Sequence, residues 1–66
     1  MTFTITHTSG DRATALDLPS AVVAARTLIL DNDGGGWSRI KRGRRLVGLI
    51  RKDGAGWRGW VGRGDR

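Results

Sequence analysis

One stretch of this chain has to be covered by something else. Ala21–Leu30 is apolar at every position except Arg26 and Thr27. Read as a helix, so apolar a segment is covered on most sides, by a sheet or by a second copy of itself. Asp17 is a suitable N-cap, and Pro19 falls in the first turn, where its missing N–H costs nothing. Ser20 is a competing cap. Val22, Ala25 and Ile29 share a face at helical spacing, flanked by Ala21 and Leu28. The β-branched content lowers the intrinsic helix propensity, so tertiary packing must hold the segment. Asp31-Asn32-Asp33-Gly34-Gly35-Gly36 ends it, because a helix exit needs left-handed backbone.

The remaining segments are short and extended. Thr2–Thr8 alternates strictly, threonine on one face and Phe3, Ile5 and His7 on the other, which is a strand pattern. Ser9–Arg12 reads as a turn, and Ala13–Asp17 as a possible return strand. A Gly10-Asp11 loop would set Ile5 opposite Leu16 and Phe3 opposite Leu18. After the helix, Trp37–Lys41, Arg45–Arg51 and Trp57–Val61 read as a three-stranded meander, turned at Arg42-Gly43-Arg44 and at Lys52–Ala55. Gly62–Arg66 reads as a frayed tail. The expected fold is α+β, one small domain over residues 1–66. It comprises an N-terminal strand or hairpin, one apolar helix, and a C-terminal three-stranded antiparallel meander with the helix packed on one face.

Register decides which side chains share a face. With Asp53-Gly54 as the loop, Ile50 faces Trp57 and Leu46 faces Val61. One face then carries Leu46, Gly48, Ile50, Trp57, Gly59 and Val61, uncharged and suited to the core. The other carries Arg45, Val47, Leu49, Arg51, Arg58 and Trp60. A three-residue first turn adds Trp37, Arg39 and Lys41 to this second face and buries Ile40; a two-residue turn reverses that. The three-residue version avoids burying two cations.

Charge points the same way. Residues 37–66 hold ten of the twelve Lys and Arg and all three tryptophans, against Asp53 and Asp65 alone, a formal +8. Residues 1–36 hold two arginines against four aspartates, a formal −2. Such a split suits a polyanion. Arg39, Lys41, Arg45, Arg51 and Arg58 would neutralise phosphates, and Trp60 and Trp37 would offer flat rings to bases. Arg42 and Arg44 at one hairpin tip and Lys52 at the other extend the charge, and a tight tip could enter a groove as a β-ribbon. Trp57 is assigned to the core.

Other chemistries find little support. The Asp31–Gly36 run begins like a calcium loop, but its twelfth position is Arg42 where a glutamate is required. The triple glycine lacks the Gly-Lys-Ser/Thr of a phosphate-binding loop. Arg63-Gly64-Asp65 matches an adhesion tripeptide that an Arg/Gly-rich tail produces easily by chance. His7 is the one histidine, there is no cysteine and no glutamate, and Ser9, Ser20 and Ser38 give no sign of a triad. No cofactor or structural zinc is expected, and no enzyme.

A chain of 66 residues buries only about 60% of the surface its unfolded form exposes. Without disulfides, tight packing or self-association must make up the difference, so a homodimer is one expectation. Absence of cysteine fits a reducing compartment. No basic segment precedes an apolar one at the start, and Ala21–Leu30 is well short of the ~20 residues of a membrane span. The expectation is a soluble cytoplasmic protein. The leading reading is a small non-enzymatic nucleic-acid-binding protein, for DNA or RNA. The alternative is a phage or mobile-element interaction factor, for example an inhibitor of a host defence system such as an anti-CRISPR, docking the same Arg/Trp face on an acidic protein surface.

Overall fold

The alternating threonine segment becomes β1 (Phe3–His7), which returns as β2 (Arg12–Ala15). The apolar segment becomes α1 (Leu18–Asp31), and the basic half becomes β3 (Trp37–Arg42), β4 (Arg45–Asp53) and β5 (Gly56–Val61). The structure, a computed structural model, describes residues 2–62. The Arg63-Gly64-Asp65 tripeptide and most of the expected tail lie outside them. Gly62 is tied down, donating its N–H to the Val47 carbonyl at 2.7 Å.

All five strands form one antiparallel sheet in the order β2-β1-β3-β4-β5. The hairpin and the meander therefore join through β1 and β3, with Ile5 opposite Ile40. β2 and β3 run parallel on either side of β1, and α1 makes the crossover between them. The fold is α+β, with the helix on one sheet face.

Asp17 caps the helix by accepting the Ser20 N–H at 2.8 Å. That backbone bond first, and the Ser20 side chain second, hold the Asp17 carboxyl below the usual carboxylate range. At the other end Gly34 N–H reaches the Ile29 carbonyl and Asp33 N–H the Leu30 carbonyl, the Schellman pattern. Asp33 sits there at φ 60°. The calcium-like run is thus a helix exit.

The helix buries one side only. Ala21, Ala25 and Ile29 meet Phe3, Ile5, Ala15, Ile40, Val47 and Ile50 in the core, while Val23 and Leu30 stay exposed. Within the single chain the sheet covers that one side of the helix. Small alanines allow a close approach, and Ser38, fully buried, donates its hydroxyl to the Ala25 carbonyl at 2.9 Å. Helix α1 lies over β1 to β4 and meets β5 through a side chain, Arg26 against Trp57.

Three register expectations are corrected. In the first hairpin Ile5 opposes Ala13 and Phe3 opposes Ala15, so Leu16 is exposed rather than paired with Ile5. The His7 carbonyl accepts from Gly10 N–H and His7 N–H reaches the Asp11 carbonyl. The loop is therefore Thr8-Ser9-Gly10, not Gly10-Asp11. In the last hairpin Asp53 pairs with Gly56 and Ile50 with Gly59. The loop is Gly54-Ala55, with the positive φ at Gly54, as a II′ turn requires. That moves the pairing by two residues, which leaves every β5 side chain on its expected face.

The third correction is in β4. Arg42 pairs with Arg45, so the β3–β4 loop has two residues, Gly43 and Arg44. The register then shifts: Lys41 opposes Leu46 but Ile40 opposes Gly48. Val47 is the extra residue of a β-bulge. It is 3% exposed and belongs to the core, whereas Leu46, assigned to the core, is 39% exposed on the opposite face. The bulge restores Ile40 to the interior despite the two-residue turn.

Candidate nucleic-acid interface

The helix-free face of the sheet follows from these registers. One row across it runs Trp37, Arg51, Arg58, and the next runs Thr6, Arg39, Leu49, Trp60, with Arg12 beyond Thr6 at the β2 edge. A third runs Thr14, Thr4, Lys41, Leu46. Six of the predicted residues, Trp37, Arg39, Lys41, Arg51, Arg58 and Trp60, therefore share this face.

The other four do not. Phe3 opposes Arg42, which opposes Arg45, and Phe3 points into the core. Arg42 and Arg45 thus lie on the helix side, at the end of the sheet. The bulge at Val47 is the cause, since it inverts the alternation on which Arg45 had been assigned. Arg44 is exposed at the hairpin tip. Lys52 opposes Trp57 on the helix side and donates to the Gly54 carbonyl.

Both outer tryptophans are accessible, Trp37 at 38% and Trp60 at 49%. The Arg39 guanidinium stands 5.4 Å from the Trp37 ring centre, a cation–π contact that orients the ring. A groove of about 340 Å3 opens beside Trp37, lined by Trp37, Leu49, Arg51, Arg58 and Gly59; Trp60 lines a separate hollow with Val22, Arg26, Ile50 and Trp57. Trp57 is on the other side, packed against the core, with the Arg26 guanidinium 5.4 Å from its ring centre.

Among the described residues the one ion pair is Arg58 with Asp53. Arg39, Lys41 and Arg51 keep their charge uncompensated by any carboxylate within salt-bridge reach among those residues. The other described acids sit about the helix: Asp17 at its N-cap, Asp31 in its last turn, Asp33 at its exit, and Asp11 accepting from the Asn32 side chain at 3.1 Å.

His7 is buried and fully engaged. Its Nδ1 accepts the Ser9 N–H at 3.0 Å, which leaves Nε2 to donate to the Gly35 carbonyl at 2.8 Å. It fastens the first hairpin to the helix exit. Among the described residues no three of His, Asp or Glu come together as metal ligands, and no helix is long and apolar enough to cross a membrane.

Sequence reasoning missed Arg12, Leu46 and the threonines Thr4, Thr6 and Thr14 as members of this face. The period-two pattern already put the threonines on one side of β1. Their place beside Arg39 and Lys41 depends on the β1–β3 pairing, which has no local signal. No protein-family model matches the chain, and neither a curated protein nor a solved structure matches it.

Proposed function

We propose that this chain is a small non-enzymatic nucleic-acid-binding protein that uses the helix-free face of its sheet. The observation that carries the reading is the composition of that face. Arg39, Lys41, Arg51 and Arg58 surround Trp37, Leu49 and Trp60, with Asp53 as the single acid at its end among the described residues. Cations release counterions from a phosphate backbone, and exposed rings offer a surface to bases.

The test separates this face from charge in general. Fluorescence anisotropy with labelled oligonucleotides across a salt series gives log K against log salt. If the four cations each meet a phosphate, the slope is roughly −2.8 to −3.6, at about −0.7 to −0.9 per contact. Arg39→Glu with Arg51→Glu should weaken binding and flatten the slope by roughly two contacts. Arg42→Glu with Arg45→Glu removes equal charge from the helix side and should leave the slope nearly unchanged. Equal effects from the two pairs would refute the assignment to this face. No binding at low salt would refute nucleic acid as the partner and turn attention to an acidic protein surface.

A further inference from the structure

We infer that the nucleic acid is single-stranded and that its unpaired bases stack on Trp37 and Trp60. This rests on the reading just proposed and narrows it.

Width comes first. Five strands span about 19 Å at ~4.8 Å per spacing. The major groove of a duplex is ~12 Å wide and the minor groove ~6 Å. The face cannot enter either groove, so a duplex laid on it could offer phosphates and sugars only. Arg39, Lys41, Arg51 and Arg58 would serve that arrangement, but Trp37, Leu49 and Trp60 would not. Unpaired bases have apolar faces that match them.

Placement comes second. Trp37 lies one row along and two strands across from Trp60, with Leu49 and Arg51 between. That is ~10 Å across and ~7 Å along, roughly 12 Å on the diagonal. The groove beside Trp37 is lined also by Arg58 and Gly59; Arg51 stands beside Trp37 in one row, and Leu49 stands between Arg39 and Trp60 in the next. A strand crossing the diagonal meets ring, cation and ring in turn. Arg39 already holds the Trp37 ring by one face, so less side-chain freedom is lost when a base takes the other.

The β3–β4 tip, with Arg42 and Arg44, is narrow enough for a groove as a two-stranded ribbon. Trp37 stands at the opposite end of β3 from Arg42. A duplex seated on the tip would leave Trp37 unused, and Arg44→Glu would then be the damaging change.

The test compares labelled oligothymidylate and oligouridylate with a labelled GC-rich hairpin duplex, in wild type and in Trp37→Ala, Trp60→Ala and Arg44→Glu. The two single strands should bind at least about tenfold tighter than the duplex. Each Trp→Ala should weaken single-strand binding about 5- to 150-fold, the share of one stacked base, without changing the salt slope. Trp60→Phe should recover part of the loss, and wild-type tryptophan emission should be quenched on binding. Circular dichroism of each variant checks that the fold is kept; both positions are exposed. Duplex binding as tight as single-strand binding, with the Trp variants silent or Arg44→Glu dominant, overturns this inference and leaves nucleic acid as the partner. No binding to any of the three overturns both.

Discussion

Gly59 lies inside β5 at φ +133°, and a Cβ built there stands 1.8 Å from the Leu49 carbonyl oxygen and 2.8 Å from its carbon. Ordinary contact begins at 3.4 Å, so alanine would force β5 away from β4. Two costs add: roughly 1–3 kcal/mol for a side chain in that backbone region, and roughly 1–3 kcal/mol for the steric displacement. A domain of this size holds only about 3–10 kcal/mol in total. Gly10 isolates the first cost, for it has φ +100° and nothing within 4 Å of its would-be Cβ. Gly59→Ala should therefore cost at least about 1 kcal/mol more than Gly10→Ala. In urea, with a slope near 1 kcal/mol per molar for so small a chain, the midpoint should fall about 1 M further. Tryptophan emission is the natural probe, since Trp57 and Trp60 flank the site. Coincident midpoints for the two variants would refute the close β4–β5 approach as the reason for this glycine.

Two smaller predictions concern the helix. The folded-state pKa of Asp17 is lowered by its bonds from Ser20, so its contribution is present above the unfolded value of about 3.9 and is lost as pH falls through the folded value. Thermal melts across the acid range should show that loss reduced in Asp17→Asn, which keeps the acceptor; Asp17→Ala should lower Tm at neutral pH as well. Ser38→Ala removes the buried bond to the Ala25 carbonyl, and should cost about 1 kcal/mol, or roughly 4–8 °C in Tm. Ser38→Val adds bulk where there is no exposure at all, and should cost more than the alanine in the same melts.

The parts of the fold that were legible in the sequence are those fixed by neighbouring residues. Asp17, Pro19 and the Asp31–Gly36 run marked both ends of the helix, and alternation marked β1. The segments of β3, β4 and β5 were visible between their turns. Register was not, because each turn offers more than one glycine-compatible loop: Gly54 serves Gly54-Ala55 as well as Asp53-Gly54. The bulge at Val47 left no local mark either, since Leu46 and Val47 are interchangeable in hydrophobicity. It is a tertiary choice, made where α1 needs a side chain beneath it. Ile40 was rightly assigned to the core on the wrong turn length, because the bulge undid the parity error. The same bulge removed Arg45 from the face. The six shared residues survived because they lie on the far side of the shift or on β3 and β5.

The distribution of charge then favours an anion on the open face even though the chain carries six acids. The described acids other than Asp53 gather around α1 on the far side of the sheet. The thinnest dimension of the Cα trace is 17 Å, and the Debye length at physiological salt is about 8 Å. A ligand on the helix-free face therefore feels Arg39, Lys41, Arg51 and Arg58 nearly undiluted by Asp17, Asp31 and Asp33. At low salt the screening length grows to ~30 Å and the whole molecule is felt, but its net +6 still attracts. Binding should thus weaken monotonically with salt, without the optimum expected where distant acids oppose the site. A maximum at intermediate salt would mean that acids near the helix reach the ligand, and that the ligand extends around the edge of the sheet.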